Sequence, residues 1–194
     1  MRLAATVAFI FILLFAGLII ILHFLRPDLN PLSNPTSAYA VGKYGFFMSA
    51  AFLSMSIASW SLLVALRKGV ASTPIVGLFF LGVWAVAVLV AMLFPIDAEG
   101  AAKTTSGKIH LINGPIGFIS LTFAIFLITR KLRYDDKWKS YYPQARFLSW
   151  LIVAMFVISI INIGLQTGFA GLCQRITLAL IVAWYVLTSL QLRK

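Results

Sequence analysis

Apolar residues in this chain come in long unbroken runs, each closed by a short polar or basic stretch, with no sustained alternation of apolar and polar positions. Crossing a hydrocarbon layer of ~30 Å takes ~20 helical residues, so each run is long enough to be one span. The runs predict helices over residues 3–25, 44–66, 74–94 and 109–129. The last apolar run, Phe147 to Leu192, is too long for one span and divides into helices over 147–166 and 172–192. The reversal falls in Gln166-Thr167-Gly168-Phe169-Ala170-Gly171, where Gly164, Gly168 and Gly171 supply the backbone freedom a tight turn needs. Continuous apolarity fits helices, since barrel strands would alternate lipid-facing and lumen-facing residues. The expected fold is all-α: a polytopic membrane protein, one domain over residues 1–194, folded as a compact bundle of six transmembrane helices.

Composition agrees with the pattern and removes other classes. The chain of 194 residues is 61% hydrophobic and 11% charged, which excludes a water-soluble core. Its 16 Lys and Arg against 5 Asp and Glu would suit nucleic acid, but they sit at the ends of apolar runs rather than along a polar face. Membrane lipids with anionic headgroups are the expected counter-charge, with other membrane subunits as further partners and no nucleic acid. A single cysteine, Cys173, forms no internal disulfide and lies in no zinc-ribbon spacing. Met1-Arg2 before an apolar stretch, with a later Ala38-Tyr39-Ala40, imitates a signal peptide. The apolar segment exceeds the ~7–15 residues of a signal h-region, and the Ala-x-Ala lies beyond a polar loop, so helix one is expected to stay.

Sorting every Lys and Arg by loop gives an orientation. One side of the membrane receives eleven (Arg2, Arg67, Lys68, Arg130, Lys131, Arg133, Lys137, Lys139, Arg146, Arg193, Lys194), and the other five (Arg26, Lys43, Lys103, Lys108, Arg175). Positive charge near helix ends resists translocation, so both termini are expected in the cytoplasm and the protein in the inner (cytoplasmic) membrane. The loop RKLRYDDKWKSYYPQAR, with Tyr134, Trp138, Tyr141 and Tyr142 among its basic residues, is expected to lie in the cytoplasmic headgroup layer.

The unusual loops then all face outward. The first, RPDLNPLSNPTSAYAVGK, spaces Pro27, Pro31 and Pro35 four apart with Asp28, Asn30, Ser33 and Asn34 between them. Prolines that fix φ and short side chains that bond their own backbone predict an ordered cap rather than a linker. The second, FPIDAEGAAKTTSGK, leads into His110, and the third is the glycine turn before Gln174 and Arg175.

The strings LHFLRPDLNPLSNPTSAYAVGKYGFFM, FPID, TSGKIHLINGPIGF and AGLCQRI resemble the uncharacterised prokaryotic membrane proteins grouped as domain of unknown function 998, over nearly the whole chain. The resemblance implies a compact helical bundle and no assigned activity. Where that family begins its motif with His-Pro-Asp, this chain has Arg26-Pro27-Asp28, so no role resting on a histidine there carries over.

Candidate chemistry gathers at the outward end. His23, Asp28, Asn30, Asp97, His110 and Arg175 are expected to converge on one extracytoplasmic polar pocket. His23 and His110 at matched depth are the candidate ligands for a haem, or for a zinc ion completed by Asp28 and Asp97. No His-x-x-x-His spacing and no third histidine supports either, so no cofactor is expected and the histidines should bond loop carbonyls. Asp28, Asp97 and Arg175 would suit a lipid or polyprenyl headgroup, because a guanidinium fork binds phosphate in two places. The hydroxyls of Ser33, Thr104, Thr105 and Ser106 lack a nucleophile-elbow or zincin motif. No Asp, Glu, Lys, Arg or His lies mid-span, which argues against ion-coupled transport. The spacing of Ala50, Ser54 and Ala58 predicts that the second helix lies at the bundle centre. The expected function is a non-enzymatic accessory or scaffolding subunit or lipid-binding module with an ordered cap. The alternatives are an enzyme acting on headgroups at the outer leaflet and a haem-carrying subunit.

Overall fold

Lipid offers no hydrogen bonds, so a spanning segment must satisfy its backbone within itself. In the computed structural model, which describes all 194 residues, 121 of 146 backbone hydrogen bonds lie within helices. Six helices are long and apolar enough to cross a membrane: α1 (Arg2–Leu25), α2 (Gly45–Gly69), α3 (Ile75–Leu93), α4 (Thr105–Leu132), α5 (Tyr142–Gly164) and α6 (Ala170–Arg193). Short 3-10 segments, Thr36–Ala40 and Asp136–Trp138, lie in the loops at opposite ends, and there are no strands.

The bounds depart from the apolar runs where side chains extend a helix into polar sequence. α4 starts at Thr105 because the Thr104 hydroxyl accepts from Gly107 N and caps the first turn. α5 starts at Tyr142, with a proline in its first turn where the missing N–H costs nothing. The reversal between α5 and α6 takes positive φ at Gln166 and Gly168.

Each helix packs on its neighbours in chain order and α6 returns to α1, closing a ring, while α2 also reaches α6 across the middle. In α2's most apolar stretch 50% of residues are buried, against 11% in α5, which agrees with the small-residue face of α2. Of that face Ser54 and Ala58 are buried and Ala50 is half-buried; Ala51 and Ser59 beside it are buried too, and Ser59 shares a hydrogen bond with Tyr185 of α6 at 2.9 Å. α5 buries only Ala145, Ser149 and Ile152, all in its first half, so its second half stands away from the bundle.

Both termini lie at one end, the end that carries most of the basic residues, where Arg2 donates to the Lys194 carbonyl at 2.9 Å. That end is sewn shut from within. Asp135, 6% exposed, accepts from Ala71 N at 2.8 Å and Lys137 N at 3.0 Å, and Trp138 donates to the Gly69 carbonyl at 3.1 Å. Tyr141 shares a hydrogen bond with Thr188 at 2.8 Å, and burial pushes its phenol up to about 12. Of the four aromatics expected in the headgroup layer, Trp138 and Tyr141 are therefore buried plugs; Tyr134 is exposed and stacks on Arg133. The stitching that joins this loop to the α2–α3 turn and to α6 explains the difference.

Candidate functional site

At the opposite end the loop 26–44 folds as a cap held by two arginines. Arg26, just past α1, donates through Nε and Nη2 to Asp28 at 2.8 and 2.7 Å and through Nη1 to the Val41 carbonyl at 2.6 Å. The Arg26 guanidinium holds the Asp28 carboxyl below its ordinary range. Asn30 accepts from Leu32 N, and Asn34 from Asn30 N, each at 2.9 Å, the local bonding that alternating Pro and Asn predicts. The loop backbone presses on the start of α6: Leu172 N donates to Leu32 O at 2.9 Å. A Cβ at Gly171 would collide with the carbonyls of Pro31 and Asn34.

Arg175, one turn into α6, has no carboxylate partner. Nε donates to His23 Nε2 at 2.8 Å, Nη1 to the Asn34 carbonyl at 2.7 Å and Nη2 to the Tyr39 hydroxyl at 3.2 Å. His23 Nδ1 donates to the Ile19 carbonyl at 2.7 Å, so the ring is the neutral Nδ1–H tautomer and Nε2 accepts from the arginine. Both ring nitrogens of His23 are thus committed inside the protein.

Asp97 turns to its own loop. It accepts from Thr104 Oγ1 at 2.6 Å and Thr104 N at 3.0 Å, and these bonds hold its carboxyl below the ordinary range. A Cβ at Gly107 would fall on that carboxylate, so glycine there lets the loop close on α4. His110, 7% exposed, donates from Nδ1 to the Phe94 carbonyl at 2.9 Å at the end of α3. Its Nε2 keeps a free lone pair and makes no hydrogen bond.

Beneath the cap lies a cavity of about 460 Å³, within the range of ~300–1,000 Å³ usual for ligand sites. Seventeen of its 28 lining residues are hydrophobic and none is Asp, Glu, Lys or Arg, which sets its chemistry apart from the charged cap. Its wall along α4 runs from His110 to Ile119, roughly 13 Å at 1.5 Å per residue, and includes Gly114 and Pro115. Pro115 has no N–H to return to the Leu111 carbonyl, and Gly114, lacking a side chain, leaves room beside it. On one side the lining comprises Leu111 and Ile119 of α4 with Ile160 and Ile163 of α5, all exposed on the outside of the bundle. The cavity therefore reaches the surface between α4 and the free half of α5.

Polar groups collect at the cap end of this space. Gln174 Oε1 accepts from Thr36 N at 2.8 Å and Thr36 Oγ1 at 3.1 Å, which fixes the amide and leaves Nε2 as an unused donor. Ser37, 8% exposed, also lines the cavity with its hydroxyl unpartnered. Deeper down the walls are Phe15, Met55, Phe118 and Leu178.

The six candidate residues thus occupy separate places. His23 and Arg175 meet; Asp28 belongs to Arg26, Asp97 to Thr104 and Asn30 to the cap backbone; His110 alone lines the cavity. Arg175 pairs with neither Asp28 nor Asp97, because each carboxylate finds a nearer partner within seven residues of chain. Sequence reasoning missed Ser37 and Thr36 as wall residues; their signal was the break from Pro-Asn turns to the small polar pair before Tyr39. A family model described as "Protein of unknown function (DUF998)" matches residues 7–191. No curated protein and no solved structure matches the chain.

Proposed function

We propose that this chain, which belongs to the DUF998 family of proteins of unknown function, is a non-enzymatic lipid-binding module that takes an apolar chain from the bilayer into the cavity beneath its cap. The observation that carries this reading is the cavity's form: apolar, free of charged residues, and continuous with the exposed faces of α4 and α5. In a membrane those faces meet acyl chains, so a chain entering sideways exchanges one apolar surrounding for another and leaves no void. The charge distribution favours placing the cap outside and the basic end in the cytoplasm, which directs the opening to the outer half of the bilayer. Catalysis by His23, Asp28, Asp97 and His110 together has no support in their geometry, since three of the four are engaged elsewhere.

Filling the space tests the reading. Ala91→Phe and Gly114→Leu put bulk into the cavity wall, and each is expected to abolish lipid that co-purifies with the wild-type protein, measured by native mass spectrometry, while the protein remains folded. Equal lipid on the wild-type and both filled variants would refute the proposal.

A further inference from the structure

If the cavity holds a lipid chain, as proposed, its polar end specifies the head that chain carries. His110 is more than nine-tenths buried, and with Nδ1 committed to Phe94 it presents Nε2 as an acceptor. Gln174, held by Thr36, presents Nε2 as a donor, and the Ser37 hydroxyl can donate or accept. His110 and Ser37 are buried and Gln174 is half-buried; an apolar ligand covering these three groups would leave them without partners, which is costly, so the cavity's cap end calls for a ligand group that satisfies both kinds. Arg175, next to Gln174 in sequence, is spent on His23, Asn34 and Tyr39, and no Lys or Arg lines the space. A phosphate or carboxylate head would therefore be buried without compensation, which is expensive.

We infer that the cavity selects an amphiphile with an uncharged hydroxyl head, its O–H donated to His110 Nε2 and its oxygen accepting from Gln174 Nε2. A hydroxyl supplies one donor and two lone pairs, the complement of this set. The chain then runs between Phe15, Met55, Phe118 and Leu178 toward the opening beside α5. Charged lipids are excluded by desolvation, and hydrocarbons lack the group that partners the buried nitrogens.

The test uses the full-length protein in phosphatidylcholine nanodiscs with four probes of one chain length: dodecanol, dodecyl methyl ether, dodecane and dodecyl phosphate. Occupancy is read by native mass spectrometry and by the shift in unfolding midpoint. Dodecanol is expected to bind about tenfold more tightly than dodecane or dodecyl phosphate, on the scale of one or two buried hydrogen bonds. The methyl ether, which can accept from Gln174 Nε2 but cannot donate to His110 Nε2, should bind more weakly than dodecanol and no more weakly than dodecane. His110→Asn keeps an amide donor for Phe94 but has no acceptor at the Nε2 position, and Gln174→Glu keeps the acceptor for Thr36 while removing the donor. Each variant should shrink dodecanol's advantage to that of the one hydrogen bond left, while dodecane still binds. Equal binding of dodecanol, ether and dodecane would overturn the head-group inference and leave the chain-binding reading standing; so would a preference for dodecyl phosphate. Failure of all four probes to bind would sink the chain-binding reading itself. The ether comparison needs no substitution, so it decides the matter even if a variant fails to fold.

Discussion

Arg26 and Arg175 stand at the same end of the bundle and differ in what they face. Arg26 is 12% exposed and meets a carboxylate that is 60% exposed, so its ion pair remains largely in water's reach and acts as a latch between the two ends of the cap loop. The sign of its pH dependence follows from Asp28. Because Arg26 lowers the Asp28 carboxyl, the latch contributes fully above the ordinary value of 3.8 and is lost as pH falls through the lowered one. Asp28→Asn is therefore expected to lower the unfolding midpoint slightly at neutral pH and to match wild type in strong acid, as scanning fluorimetry across pH would record. Arg175 instead gathers His23, Asn34 and Tyr39 with a planar fork. Lysine cannot span three such acceptors, so Arg175→Lys should lose at least two hydrogen bonds and destabilise the protein by about 1–3 kcal/mol. Hydrogen exchange should rise across residues 30–40 in that variant, and unchanged protection there would show that the cap is held by other means.

α2 and α5 show how far one chain's pattern specifies its elements. Lipid forces each backbone to bond within its own helix, so long apolar runs read directly as spans, and the small residues of α2 mark it as the central one. The position of α5 was not legible, because a helix facing lipid and a helix facing protein are both apolar and the pattern of one sequence does not separate them. Asp135 was illegible for a different reason: it reads as one more charge in a basic loop, yet it is buried and accepts from Ala71 N, 64 residues away. Its removal as Asp135→Ala would leave the Ala71 and Lys137 amides unpaired and is expected to cost about 1–3 kcal/mol, measured as a fall in the unfolding midpoint. The candidate site was legible only as an inventory. The cap loop's Pro and Asn residues announce local order because their bonds are local. Which carboxylate meets which arginine depends on distances between loops that spacing along the chain does not encode. Thus the sequence offers Asp28 and Asp97 as partners of Arg175, whereas each is taken by a neighbour in sequence.

On the scale of the molecule, the two ends of the bundle are built on opposite principles, and this sets the last prediction. The end bearing the termini is closed by buried Trp138, Tyr141 and Asp135 beneath a surface of Lys and Arg. The cap end carries few cations, and two of those, Arg26 and Arg175, are absorbed into hydrogen bonds of the cap. Free basic residues are therefore still more unequally divided than the totals of eleven and five. Insertion should follow the totals themselves, because solvated Lys and Arg near helix ends resist crossing and the cap that engages Arg26 and Arg175 folds only after translocation. A phosphatase fused after Lys194 is expected to be inactive and a fluorescent protein there bright, whereas a phosphatase inserted near Gly100 should be active. Cys173 supplies a separate check on the cap: buried at 6% exposure, it should resist a membrane-impermeant maleimide in the folded protein and react once Arg175→Lys has loosened the loop above it. The reverse reporter pattern would leave every distance in the cavity unchanged but turn its opening toward the inner half of the bilayer, so the lipid it samples would come from the cytoplasmic leaflet.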